Sequence, residues 1–202
     1  MGNHTVCRKD ITALPTYLRD LGYRVALMHK VHARPAEVFN FEYIEAKLPP
    51  KPERHRTYRM EGLDTEVVDQ FLAEHAKSRP DVPLCLIVAD SGPHVVWEPN
   101  RIYDPAKIHL PPFIVDTELT RKAMTNYYQD ITTMDERLGQ VRAALKKHGF
   151  EDNTLFIYTT DQGAEWPHAK WTVYDTGIHV PFIAVWPGRI KPGVSDALIS
   201  HV

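Results

Sequence analysis

Apolar positions along this chain recur with two different periods, and the switches between them divide it into alternating helices and strands. In residues 12–21 (TALPTYLRDL), Leu14, Tyr17, Leu18 and Leu21 fall at helical spacing, and Gly22 stands where a C-terminal cap belongs. Arg24 to Met28 is short, apolar and β-leaning, predicting a strand that runs into the polar cluster His29-Lys30-Val31-His32. Residues 49–59 (PPKPERHRTYR) carry proline and charge without periodicity and predict a loop. From Asp64 to Ser78, Val67, Val68, Phe71, Leu72 and His75 describe one helical face, ending before Arg79-Pro80. Leu84 to Ala89 is unbroken in its apolarity, as a strand covered on both faces should be, and it delivers Asp90-Ser91-Gly92-Pro93-His94.

The second half repeats the alternation. Residues 95–116 hold four prolines and little pattern, consistent with a long excursion. Glu118 to His148 places Ala123, Tyr127, Ile131, Met134, Leu138, Val141 and Leu145 mostly three or four apart and closes on Lys146-Lys147-His148-Gly149, predicting a long helix with a candidate interruption at Thr132-Thr133. The turn Glu151-Asp152-Asn153 leads into a strand over 154–160 that ends on Asp161-Gln162-Gly163, and a last strand runs from Pro181 to Trp186. Helices alternating with mostly apolar strands are the signature of an α/β fold with a largely parallel sheet, and no internal domain boundary stands out.

Composition narrows the picture by exclusion. Apolar residues make up 43% and charged residues 25% of 202, a soluble globular composition long enough to bury a real core. A formal net charge of -2, from 24 basic and 26 acidic residues, recruits neither nucleic acid nor an anionic membrane surface, so any anionic substrate must be drawn by local charge. No apolar run approaches the ~20 residues of a membrane span, and MGNHTVCRKD lacks the apolar stretch of a secretory signal. Cys7 and Cys85 are too few for a disulfide framework and read as structural; Asn3-His4-Thr5 fits the glycosylation pattern but reads as ordinary loop polarity.

In open parallel sheets ligands bind beyond the carboxyl ends of strands. Three predicted strands finish in residues suited to chemistry: Lys30 with His32, His94 following Asp90, and Asp161 with Gln162. If those strands are parallel neighbours, the groups converge. Lys30, His94 and the later Lys170 would neutralise a tetrahedral oxyanion, while Asp161 and the Gln162 side-chain oxygen suit a hard divalent cation such as calcium or magnesium. The set suggests hydrolysis of an anionic ester without choosing sulfate over phosphate.

Four segments in order make a resemblance specific. LGYRVALMHKVH (21–32), SGPHVVW (91–97), DNTLFIYTTDQG (152–163) and YDTGIHVPFIAVWPG (174–188) resemble the motifs of the sulfatase family, within the alkaline phosphatase-like superfamily. The opening, with His4 and TALPTYLRDLGYRVAL, looks most like the branch of the heparan N-sulfatases and their bacterial relatives. The resemblance implies a three-layer sandwich around a largely parallel sheet. It also implies that Lys30 contacts the sulfate, that His32 hydrogen-bonds the nucleophile, that His94 and Lys170 grip the sulfate and stabilise the leaving oxygen, and that Asp161 and Gln162 are metal ligands, calcium being the expected ion. Asp90 is expected to shape the turn. The implied substrate is a sulfate ester or sulfamate on a sulfated saccharide; the sequence leaves the compartment unknown, the family implying a periplasmic, secreted or lysosomal one if a signal was lost with the amino terminus.

The departures matter as much. Gln162 stands where the family has Asn or His, His29 where glycine commonly precedes the lysine, and His179 where arginine is usual. The family nucleophile is a formylglycine made from cysteine, or sometimes serine, in Cys-x-Pro-x-Arg or a close variant, and Cys7, followed by Arg8-Lys9-Asp10-Ile11, is not it. Paired amino-terminal aspartates are also missing. Residues 1–202 therefore read as part of a catalytic domain, cut at both ends, lacking the nucleophile segment and the carboxyl-terminal subdomain. The alternatives are a phosphoesterase or phosphonate hydrolase of the same superfamily, and a non-catalytic member that binds sulfated glycans. Lys51, Arg54, His55, Arg56 and Arg59 read as a solvated loop rather than a glycan contact; for Trp166 and Trp171, packing is at least as good a reading as stacking on a sugar.

Overall fold

The computed structural model describes residues 6–44 and 62–200; the triplet at Asn3 and the basic stretch 51–59 lie outside the described residues. Strand β1 (Arg24–His29) lies between β2 (Glu42–Ile44) and β3 (Leu84–Ala89), parallel to both. The chain passes from β2 to β3, on the far side of β1, by a crossover that contains helix α2 (Thr65–Ser78). Asp64 caps that helix by accepting the Glu66 N–H at 3.1 Å. A shorter helix, α1 (Leu14–Asp20), precedes β1 and packs against it, and Gly22 follows with φ +87 as the cap position requires.

The core forms where the even positions of β1 meet the helices. Ala26 and Met28 are buried with Leu63, Val68, Phe71 and Leu72 and with Val141 and Ala144 of helix α3 (Glu118–Lys147), while Leu84, Leu86 and Val88 of β3 pack alongside. Burying Leu72 or Val68 fully is worth about 1.5–3 kcal/mol each. The odd positions Val25 and Leu27 are buried too, on the opposite face. At the start of β1 the Arg24 guanidinium, itself buried, bonds both oxygens of Glu42 at 2.7 and 2.8 Å and Glu74 at 2.6 Å.

Three expectations change. Helix α3 runs unbroken through Thr132-Thr133, because those hydroxyls bond Tyr103 and Glu98 on the 95–116 excursion instead of competing for the helix backbone. Its amino-terminal half buries Thr125, Gln129 and Asp130 rather than a purely apolar stripe. The excursion supplies unpaired backbone N–H groups there, and Gln129 and Asn126 accept those of Arg101 and Asn100. Finally, β4 (Phe156–Thr159) and β5 (Phe182–Val185) form a separate antiparallel pair instead of extending the parallel sheet. Every residue of β3 is only half-buried, and its second edge has no strand partner among the described residues. Apolar periodicity specifies that a segment is extended; it does not specify which neighbour takes its backbone hydrogen bonds.

Candidate active site

The carboxyl ends of β1 and β3 are flush. His29 pairs with Ala89 in register, the Lys30 N–H donates to the Ala89 carbonyl at 3.2 Å, and His29 Nε2 lies 2.9 Å from Ser91 Oγ. His29 has φ +74, the left-handed region that glycine occupies at least cost. Lys30 and His32 follow this turn; Lys30 is half-buried and His32 is exposed.

Asp90 organises the turn after β3, as its position suggested. Its carboxylate accepts the Gly92 N–H at 3.0 Å and binds Arg137 of α3 through two oxygens at 2.6 and 3.1 Å. A Cβ on Gly92 would stand 2.7 Å from an Arg137 guanidinium nitrogen, so a larger residue there would require that side chain to shift. The turn presents His94, whose Nδ1 lies 2.6 Å from the Val95 carbonyl. A carbonyl only accepts, so Nδ1 carries the proton and, in the neutral ring, Nε2 carries the lone pair.

A second loop, between β4 and the short helix α4 (Asp175–Ile178), brings Lys170 to that ring. Lys170 Nζ lies 3.4 Å from His94 Nε2 and 2.5 Å from Glu165 Oε1, while Glu165 Oε2 accepts the Val95 N–H at 2.9 Å. Burial pushes the Glu165 carboxyl up, but the Lys170 ammonium, the Val95 N–H and the nearby His94 outweigh it and hold the acid below its ordinary value. Two glycines seat this loop. A Cβ on Gly163 would stand 1.9 Å from the Thr176 carbonyl oxygen, and one on Gly177 would stand 2.4 Å from that of Ala169. Trp166 stacks on Trp97 at 4.9 Å between ring centroids, so it joins the two loops by packing; Trp171 is 81% exposed.

The structure thus brings His94 and Lys170 together and places Lys30 at the neighbouring strand end. Asp161 is exposed at the end of β4 with Gln162 half-buried beside it. Among the described residues no three His, Cys, Asp or Glu side chains gather as a metal cluster. Calcium takes about 6–8 oxygens, so Asp161 and Gln162 supply at most a fraction of its shell and do not by themselves fit the ion. Glu165 is the residue that sequence reasoning missed. Outside a helix no spacing rule links an acid to a lysine five positions on, and only the loop's fold pairs them.

Sequence comparison identifies the family of the chain. The sulfatase family profile matches residues 5–202, and the chain is a member of the sulfatases, a family of sulfuric ester hydrolases. It is 30% identical to an ulvan-active sulfatase of Formosa agariphila, over 98% of this chain and 38% of that protein. It is 23% identical to human N-sulphoglucosamine sulphohydrolase, over 94% of this chain and 42% of that one. The chain therefore spans about two-fifths of the length of these two curated relatives. A phosphonate monoester hydrolase from Silicibacter pomeroyi superposes on 93% of this chain and 55% of its own with a TM-score of 0.63 at 22% identity, a likeness of fold.

Proposed function

We propose that this chain carries the sulfate-gripping side of a sulfatase active site, serving hydrolysis of sulfate esters or sulfamates on a sulfated saccharide. The observation that carries this reading is the approach of Lys170 Nζ to His94 Nε2, two groups from separate loops meeting at 3.4 Å. A tetrahedral anion seated there would receive hydrogen bonds from the ammonium and, when the ring is protonated, from Nε2–H. Lys30 adds a cation from the adjacent strand end, and His32 follows as the proposed contact to the nucleophile. Asp161 and Gln162 are proposed to contribute to a divalent metal shell, calcium being the ion that family resemblance suggests; a bound cation there would neutralise charge on the transferring group. Cys7 and Cys85 both lack the nucleophile motif, so neither is proposed as the formylglycine precursor.

The ulvan-active and N-sulphoglucosamine relatives support a sulfated glycan. Titration of the chain with a sulfated oligosaccharide and with its desulfated counterpart tests this, followed by side-chain NMR of the histidines. The sulfated form is expected to shift His94, and Lys170→Ala is expected to weaken binding by roughly tenfold, the loss of one charge-assisted contact. Equal response to both saccharides would sink the proposal. The phosphonate hydrolase likeness keeps a second reading in view at the level of fold alone.

A further inference from the structure

Glu165 is more than a tether for a lysine. Its carboxylate lies 2.5 Å from Lys170 Nζ and 3.5 Å from His94 Nδ1, its side chain is 18% exposed, and the Val95 N–H fixes its second oxygen. It therefore places a negative charge against both groups proposed to grip the anion. With His94 neutral, Lys170 and Glu165 cancel, and Lys30 is the cation of the set that has no carboxylate partner among the described residues. We infer that Glu165 is a specificity-determining residue that sets this pocket for singly charged tetrahedral esters against doubly charged ones.

The inference rests on reading His94 and Lys170 as the anion-gripping pair and adds a charge class to it. A sulfate monoester carries one negative charge at neutral pH, whereas a phosphate monoester, with a second pKa of about 6, carries nearly two. Each additional ligand charge meets the Glu165 carboxylate a few ångströms beyond Lys170, in partly buried surroundings where Coulomb forces are screened less than in water. Phosphonate monoesters and phosphodiesters, also singly charged, escape this penalty, so the residue sorts by charge and not by the central atom.

The test uses phenyl sulfate and phenyl phosphate at about pH 8, binding to the full 202-residue chain followed through the His94 ring. Glu165→Gln keeps the shape and an oxygen to accept the Val95 N–H but removes the charge. It is expected to raise the phosphate-to-sulfate affinity ratio by about tenfold. Glu165→Asp, which keeps the charge, is expected to hold the wild-type ratio. An unchanged ratio in Glu165→Gln, with both ligands binding the wild type, overturns this inference and leaves the anion site standing. Binding of neither ligand at His94 in any form overturns the anion site as well. Should Glu165→Gln not fold, the wild type serves alone: the ratio is expected to fall as phenyl phosphate gains its second charge between about pH 5 and pH 8, and a rising ratio overturns the inference.

Discussion

His75 shows how a single buried side chain acquires a fixed chemical state. It is 2% exposed, with Nδ1 3.2 Å from an Arg24 nitrogen and Nε2 3.0 Å from the Val82 carbonyl. Arginine can only donate and a carbonyl can only accept, so the ring is neutral with its proton on Nε2. Burial, together with the Arg24 and Arg79 charges, pushes its pKa below the ordinary 6.5 against the Val82 and Glu74 contributions. The unfolded chain then binds a proton that the folded chain refuses, so stability is full above the ordinary value and falls as pH drops through it. Urea unfolding at about pH 7.5 and 5.5 is expected to show that loss in the wild type and a smaller one in His75→Gln; equal losses would refute the assignment. His29 makes a second prediction at this scale. Its φ of +74 costs about 1–2 kcal/mol, and its hydrogen bond to Ser91 returns about 1. His29→Gly should be nearly neutral by chemical denaturation, whereas His29→Val, β-branched and without the bond, should cost about 2 kcal/mol or more.

At the scale of elements, the same amino acid has opposite value in different places. Gly139 lies inside α3 with open space where its Cβ would be, so Gly139→Ala is expected to stabilise by about 0.5–1 kcal/mol through helix propensity. Gly163 is pressed against the Thr176 carbonyl, and its N–H donates to the Gly177 carbonyl at 3.0 Å. Gly163→Ala must push the β4 loop off α4, at a cost of about 1–3 kcal/mol in thermal or urea unfolding. It would also displace Lys170 from His94, so the His94 signal should move in the unliganded protein. A thermal scan ranking Gly163→Ala above Gly139→Ala would contradict this account of the loop.

At the scale of the whole molecule, the described residues gather the groups proposed to bind the anion but offer no nucleophile of the family type. We expect the isolated 202-residue chain to release no sulfate from an aryl sulfate; turnover by the purified chain would show that another residue attacks sulfur. No helix among the described residues is long and apolar enough to cross a membrane.

Much of this was legible in the one-dimensional pattern. The face of α2, the extents of β1 and β3 and the cap at Gly22 follow from periodicities of 3.6 and 2 and from glycine's access to positive φ, all of which are local physics. The motifs around Lys30, His94 and Asp161 were readable because side-chain chemistry survives without coordinates. Only the tertiary structure decided that β4 bonds β5 and not β3, that polar residues of α3 turn inward to serve the excursion, and that Glu165 joins Lys170 and His94. The reason is common to all three. Each depends on contacts between segments distant in sequence or on the path of an irregular loop, where backbone hydrogen bonds and charges find partners that no period encodes.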